Sequence, residues 1–196
     1  MARTQARDYG QRREDILNLA SELFARKGFA ESSMSKLAEA SSVSKSLIYH
    51  YFHSKEDILY AVMASHIDIL EGDVSRVAAM AGGPLEKLTA LIQRFMAHYV
   101  GAADRQKVLL NELDSLPPEK RSDLIRRQRA IVNATQELVV GVYPALSTNP
   151  ARAKVQTLLL FGMMNWTHTW FSTEGPLKAT DVAGMILELF NPSSKP

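Results

Sequence analysis

Apolar side chains recur at intervals of three and four along this chain, and no segment sustains the every-second-residue alternation of a half-buried strand. That rhythm restricts the fold to helices packed on helices. Glycine and proline interrupt it at Gly28, Gly82-Gly83-Pro84, Gly101, Pro117-Pro118, Pro144 to Pro150 and Gly175-Pro176. The breaks leave nine predicted helices, over 10–27, 34–40, 44–52, 55–80, 84–100, 105–115, 118–143, 151–171 and 179–190, with a frayed tail from Asn191 to Pro196. Two short helices stand among longer ones. The pattern predicts an all-α chain with a small three-helix unit over 10–70 and a larger helical bundle over 71–196. The helix from 55 joins them. Its start is marked by Ser54 as N-cap, Asp57 three residues on, and Glu56 in the first turn.

The chain is 46% hydrophobic, enough to bury a core, and has no cysteine, which excludes disulfides and thiolate metal sites. Its first residues lack the apolar stretch of a signal peptide. The longest uncharged run, Val155 to Phe171, holds Gln156, Asn165, Thr167 and His168 and is short for a membrane span. A soluble, cytoplasmic protein is expected. Residues 1–55 hold nine Lys and Arg against six Asp and Glu, while the remainder is nearly balanced. The basic excess lies at the end that would meet a polyanion, although a chance asymmetry accounts for it as well.

Helix 44–52 divides into two faces. Leu47, Ile48, Tyr51 and Phe52 form one wedge; Lys45, Ser46, Tyr49 and His50 form the opposite side. With Ser33 capping helix 34–40 and Val43 plugging the corner between the short helices, the unit closes a mini-core on Ile16, Ala20 and Phe24. The polar side suits the major groove. Ser44 and Lys45 lie at a helix N-terminus, where N–H groups and the dipole favour phosphate. Lys45 also reaches guanine acceptors, and Ser46 serves any base edge. Tyr49 and His50 offer a polar tip on a planar body. Lys55 is expected to clamp a flanking phosphate, and Ser33 and Lys36 to hold the backbone on the other side. By periodicity alone, the same face fits a solvated flank of a core helix.

The residues Phe24, Gly28, Phe29, Ser33, Leu37-Ala38, Val43-Ser44-Lys45, Tyr49-His50-Tyr51-Phe52, Lys55-Glu56 and Ile58-Leu59 closely resemble the DNA-binding domain of TetR-family regulators over about residues 10–70. Ser33 stands where the family usually has Thr, and Ser42 where it usually has Gly in the turn. The resemblance implies a helix-turn-helix at 33–52 and a ligand-binding and dimerisation bundle behind it. It further implies a homodimer reading a pseudo-palindromic double-stranded operator, and a repressor released by a small apolar effector.

Helix 151–171, apolar almost throughout from Val155, must be covered on more than one side, and helix 179–190 presents Val182, Met185, Ile186, Leu189 and Phe190. The resemblance implies that these two helices pair with their copies as a four-helix bundle; burial inside one subunit is the alternative. Asn165-Trp166-Thr167, followed by Thr169-Trp170, is similar to a segment of regulators of acyl-CoA breakdown, which implies a CoA thioester as effector. Such a ligand needs an apolar tunnel and a cationic mouth. Phe95, Tyr99, Leu113, Ile131, Leu138, Met163, Trp166 and Trp170 are the tunnel candidates, and Asn165 is a polar contact or a link to another helix. Arg126 and Arg127, beside Lys120, Arg121 and Arg129, are the mouth candidates. Plain core packing and a solvated helix face account for the same residues. A drug or lipid effector and an architectural DNA-binding protein without ligand control are the other readings.

No nucleophile–base motif, glycine-rich phosphate loop or paired carboxylates in an apolar setting suggests an enzyme. His98 and His168 lie far apart with no acidic or thiol ligand at metal spacing, so neither metal nor cofactor is expected.

Overall fold

The computed structural model describes residues 2–41 and 44–190, with side chains described from Tyr9 on, that of Ser41 excepted. Among the described residues there are nine α-helices: α1 (Ala2–Lys27), α2 (Met34–Ser41), α3 (Lys45–Tyr51), α4 (Lys55–Ala79), α5 (Pro84–Gly101), α6 (Ala103–Asn111), α7 (Pro118–Val142), α8 (Pro150–Asn165) and α9 (Ala179–Phe190). No helix is long and apolar enough to cross a membrane.

The chain forms two compact units, residues 1–66 with 104–124 and residues 67–103 with 125–196. The first unit also takes in nearly all of α6 and the start of α7, so α4 and α7 each contribute to both units.

In the first unit, Ile16, Leu17, Ala20 and Phe24 of α1 are buried with Leu37 of α2, Ile48 of α3, and Ile58, Leu59 and Val62 of α4. Complete burial of a Leu or Ile contributes about 1.5–3 kcal/mol, so this mini-core supplies the unit's main cohesion. Gly28 ends α1 at φ +80°, a conformation that strains any residue with a Cβ, and its N–H donates to Phe24 O at 2.9 Å. Ser33 and Ser54 cap α2 and α4, each accepting from the backbone N–H three residues on, at 3.1 and 3.0 Å. α6 is attached through polar groups. Buried Arg105 donates to Ser65 Oγ at 2.8 Å, to Asn18 Oδ1 at 2.7 Å and to Glu14. Gln106 meets His66 at 2.7 Å.

In the second unit, α5 buries Leu88, Leu91, Ile92, Phe95, Met96 and Tyr99, and packs on α8 and α9. α8 turns Ala153, Thr157, Leu160 and Met164 inward, one stripe at helical spacing. Val155, Leu158 and Leu159 are left outside. The predicted helix 151–171 ends early, at Asn165, and continues as a 3-10 turn over Trp166–Thr169. Side chains bond back to the backbone along this turn. Thr167 Oγ1 donates to Met164 O at 2.6 Å, His168 Nδ1 meets Asn165 O at 2.6 Å, and Thr169 Oγ1 donates to Trp166 O at 2.8 Å. Those carbonyls are the ones a continuing helix uses. The carboxylate of Asp73 on α4 is fully buried, with Arg76 at 2.5 Å, Arg94 at 3.5 Å and His98 at 2.7 Å around it.

Candidate nucleic-acid interface

α3 is one side of the first unit's surface. Ile48 has no exposed area and Phe52 has 4%, so the wedge points into the mini-core. Leu47 and Tyr51 are half-buried beside them, while Ser44, Lys45, Ser46, Tyr49 and His50 are all exposed. The orientation follows from the sequence period, because burying Ile48 and Phe52 leaves the intervening residues no other side. Ser44 is the N-cap of α3: its Oγ accepts from Leu47 N at 3.2 Å and shares a 2.9 Å hydrogen bond with Ser46 Oγ. Lys45 Nζ sits 6.0 Å from the Tyr49 ring centroid. The helix start, its cap and one ammonium thus converge on a single exposed patch that can take a phosphate at its N-terminal edge and base edges beyond. Ser42 and Val43, expected to form the turn and plug the corner, lie outside the described residues.

The flanking positions divide. Ser33 is exposed and caps α2, and Lys36 is exposed with its Nζ donating to Glu31 O at 2.6 Å. Lys55, expected at a flanking phosphate, has partners within the unit: its ammonium donates to Phe29 O at 2.8 Å and Ser32 O at 3.0 Å and lies 3.9 Å from the Phe29 ring centroid. These contacts fix the turn between α1 and α2. The sequence gives the charge of Lys55 but not the two carbonyls that the turn after Gly28 aims at it.

One contact falls outside the predicted elements. α1 begins well before residue 10, and Tyr9 lies on it with its ring 4.5 Å from that of Tyr51 and 6.1 Å from that of His50. Arg13, one turn on, stands 5.2 Å over Phe52. The signal was present in the spacing, since Tyr9 is seven residues before Ile16 and shares its face.

The ligand candidates scatter. Phe95 and Tyr99 are buried, stacked at 6.1 Å, and Phe95 also meets Phe161 at 6.1 Å. Ile131 is buried, and Leu138, Met163 and Asn165 are half-buried, all in the second unit. Leu113 belongs to the first unit, in a 3-10 turn over Leu113–Ser115. Trp166 and Trp170 are 66% and 54% exposed, so they line no tunnel in the isolated subunit.

Cations expected at the mouth have carboxylate partners. Arg127 donates from Nε and Nη2 to the Glu71 carboxylate at 3.0 and 2.6 Å, and to Asp68. The Glu71 hydrogen bonds outweigh desolvation and hold its guanidinium still more firmly protonated than usual. Lys120 pairs with Asp57, and Arg121 with Asp114 at 2.7 Å, both in the first unit. Arg126 stays at the surface. Sequence spacing showed five cations on one helix; it did not show the carboxylates of other elements that engage them. The second unit has an open cleft of about 360 Å³ lined by Tyr99, Val100, Thr167, His168, Phe171 and Glu174 among others, of which only Tyr99 was a candidate.

α9 is split as well. Val182, Ile186 and Phe190 are buried, whereas Met185 and Leu189 are 47% and 75% exposed. With Val155, Leu158 and Leu159 of α8 and the two tryptophans, they make an apolar surface that one subunit leaves uncovered.

Known proteins share this arrangement. The family model described as "Bacterial regulatory proteins, tetR family" matches residues 16–62, and "Tetracyclin repressor-like, C-terminal domain" matches 81–191. The HTH-type transcriptional repressor KstR2 of Mycolicibacterium smegmatis is 34% identical over 190 residues, 91% of this chain and 88% of its own. The crystal structure of a TetR-family transcriptional regulator from Bordetella parapertussis superposes with a TM-score of 0.88, at 34% identity, over 91% of this chain and 93% of that one. AibR in complex with isovaleryl coenzyme A and operator DNA superposes with a TM-score of 0.79, at 26% identity, over 91% and 97%.

Proposed function

Since the chain belongs to the TetR family of DNA-binding transcription regulators, we propose that two copies of it hold a pseudo-palindromic operator through the exposed side of α3 and let go when an acyl-CoA thioester binds. The observation that carries this reading is the division of α3: Ser44, Lys45, Ser46, Tyr49 and His50 outside, Ile48 and Phe52 sealed behind. One seven-residue helix contacts few bases, so useful specificity needs a second copy on a second half-site. The uncovered side of α8 and α9, with Trp166 and Trp170, supplies the pairing surface. The work is that of a binding protein, not an enzyme, and its place is the cytoplasm, where the operator is. The KstR2 relative is named a repressor, which supports the same sense of control here.

The relative solved with isovaleryl coenzyme A supports the choice of effector. In this chain Phe95, Tyr99, Ile131, Leu138 and Met163 offer the acyl group an apolar lining, reached from the cleft beside Tyr99. One observation favours a second reading, an uncharged apolar effector: the cleft lining includes Glu174 and neither Lys nor Arg. A panel of acyl-CoA thioesters beside the corresponding alcohols and amides separates the two. The effector raises the melting temperature and lowers operator affinity, because binding to one state is linked to loss of the other. A thermal shift with the uncharged compounds alone discards the thioester and keeps the repressor. For the reading face, Lys45→Ala and Tyr49→Ala stay folded and lose operator binding. Parental affinity in either variant at equal salt overturns the assignment.

A further inference from the structure

We propose that the cleft beside Tyr99 receives the pantetheine arm of the thioester, with Nε2 of His168 accepting a hydrogen bond from an amide N–H and the phosphates left in solvent. This rests on the reading of an acyl-CoA as effector and names the part of it that the cleft holds.

Three observations carry it. First, the cleft is graded from inside to outside. Tyr99 and Thr167 are buried, His168 and Phe171 are half-buried, and Glu174 is exposed, all within the second unit. At about 360 Å³ it lies near the small end of ligand sites, which span roughly 300–1,000 Å³. It suits one slender arm better than a whole nucleotide-bearing thioester. Second, the side chains of Thr167, His168 and Glu174 offer acceptors. His168 Nδ1 lies 2.6 Å from Asn165 O. A carbonyl only accepts, so Nδ1 carries the hydrogen and the neutral ring keeps Nε2 as its acceptor, turned away from that carbonyl. Thr167 Oγ1 gives its one hydrogen to Met164 O at 2.6 Å and retains only lone pairs. Third, among the described residues the lining holds neither Lys nor Arg.

Such a wall selects N–H and O–H donors and repels phosphate. Within a CoA thioester that is the description of the pantetheine arm, whose amides and hydroxyl are strung on short apolar links. The acyl group then continues from Tyr99 towards Phe95, and the lack of cations in the cleft is what this segment requires. An ammonium ligand would also seek acceptors. Of the three here only Glu174 is charged, and it stands in water, where an ion pair contributes little. His168 and Thr167 are the more enclosed pair, and neutral acceptors match a neutral amide.

The test uses the full chain and a duplex that the parent selects from a random library. Straight and branched acyl-CoA thioesters are screened by thermal shift, and the most active acyl group is then carried on pantetheine, which has no phosphate. Acyl-pantetheine releases the duplex at concentrations within about fivefold of the CoA thioester, the most that an exposed ion pair supplies. His168→Asn keeps an N–H in the place of Nδ1 and loses the acceptor in the place of Nε2. Its melting temperature without ligand stays at the parent's, while acyl-pantetheine binds about fivefold more weakly, the loss of one hydrogen bond. His168→Gln sets an acceptor where Nε2 was and restores the affinity. An inert acyl-pantetheine beside an active acyl-CoA overturns the proposal, because phosphates then carry the binding. Parental affinity in His168→Asn, or a loss in His168→Gln equal to that in His168→Asn, overturns the acceptor role. Either result leaves the thioester as effector. A panel in which no acyl-CoA binds strikes the thioester reading itself and this assignment with it, so the two failures are distinct.

Discussion

Replacing Lys55 by methionine separates two uses of one ammonium group. In the structure it bridges the carbonyls of Phe29 and Ser32 and faces the Phe29 ring. Hydrogen bonds from a charged donor contribute about 1.5–3 kcal/mol when fully shielded, and a cation over a ring about 0.5–1 kcal/mol at exposed sites. Lys55 is half-buried, so water competes for part of this, and a loss of about 2 kcal/mol is expected in Lys55→Met. For a chain of this size that lowers the melting temperature by about 4–8 °C. The methionine keeps the apolar stem in place, so the change isolates the ammonium. Calorimetry reads the stability, and operator titrations at several salt concentrations read the phosphate count. The turn over 28–33 carries Ser33 into α2, so its slackening weakens operator binding evenly while the salt slope holds. A melting temperature equal to the parent's, with a slope flatter by about 1.8 for two lost phosphates per dimer, refutes the internal role and restores the phosphate clamp.

Leu159→Glu places a charge at a position 64% exposed in the subunit; sedimentation is expected to show a folded monomer that no longer holds its operator, and a stable dimer would contradict the pairing surface. Arg127→Met removes the links to Glu71 and Asp68, at a cost of about 1–2 kcal/mol because both partners contact solvent; calorimetry detects it, and an effector response equal to the parent's is expected. A lost response at unchanged stability would return Arg127 to the ligand. The Asp57 carboxyl is held below its ordinary range first by its hydrogen bond from Lys120, against desolvation. Its stabilisation is therefore present above that range and fades as pH falls through it. Thermal scans should show Asp57→Asn less stable than the parent near neutral pH, with the gap closing towards about pH 3.

Where one period governs, the sequence was legible. The nine helices follow from apolar spacing and from Gly and Pro, and the outward side of α3 follows from Ile48 and Phe52 having one place to go. Local capping was equally plain at Ser33 and Ser54. What spacing alone does not show has one physical cause: long side chains find partners that come from elsewhere in the chain. Lys55 and Arg127 look free on a helical wheel, because the carbonyls after Gly28 and the carboxylates on α4 are brought to them only by the fold. Large aromatics favour burial, but the surroundings of Trp166 and Trp170 are set where α8 gives way to a 3-10 turn. Tyr9 lies just ahead of the expected helix 10–27, whereas α1 extends past it towards the N-terminus.

The placing of the two tryptophans gives the molecule a built-in optical label. The chain has no others, and both lie at the end of α8, in the second unit and away from the reading helix in sequence. Indole emission moves to shorter wavelength as water leaves the ring. Dilution should therefore shift the spectrum to the red as subunits part, while an operator bound at α3 adds no indole of its own to the signal. Subunit exchange becomes measurable without attaching any dye.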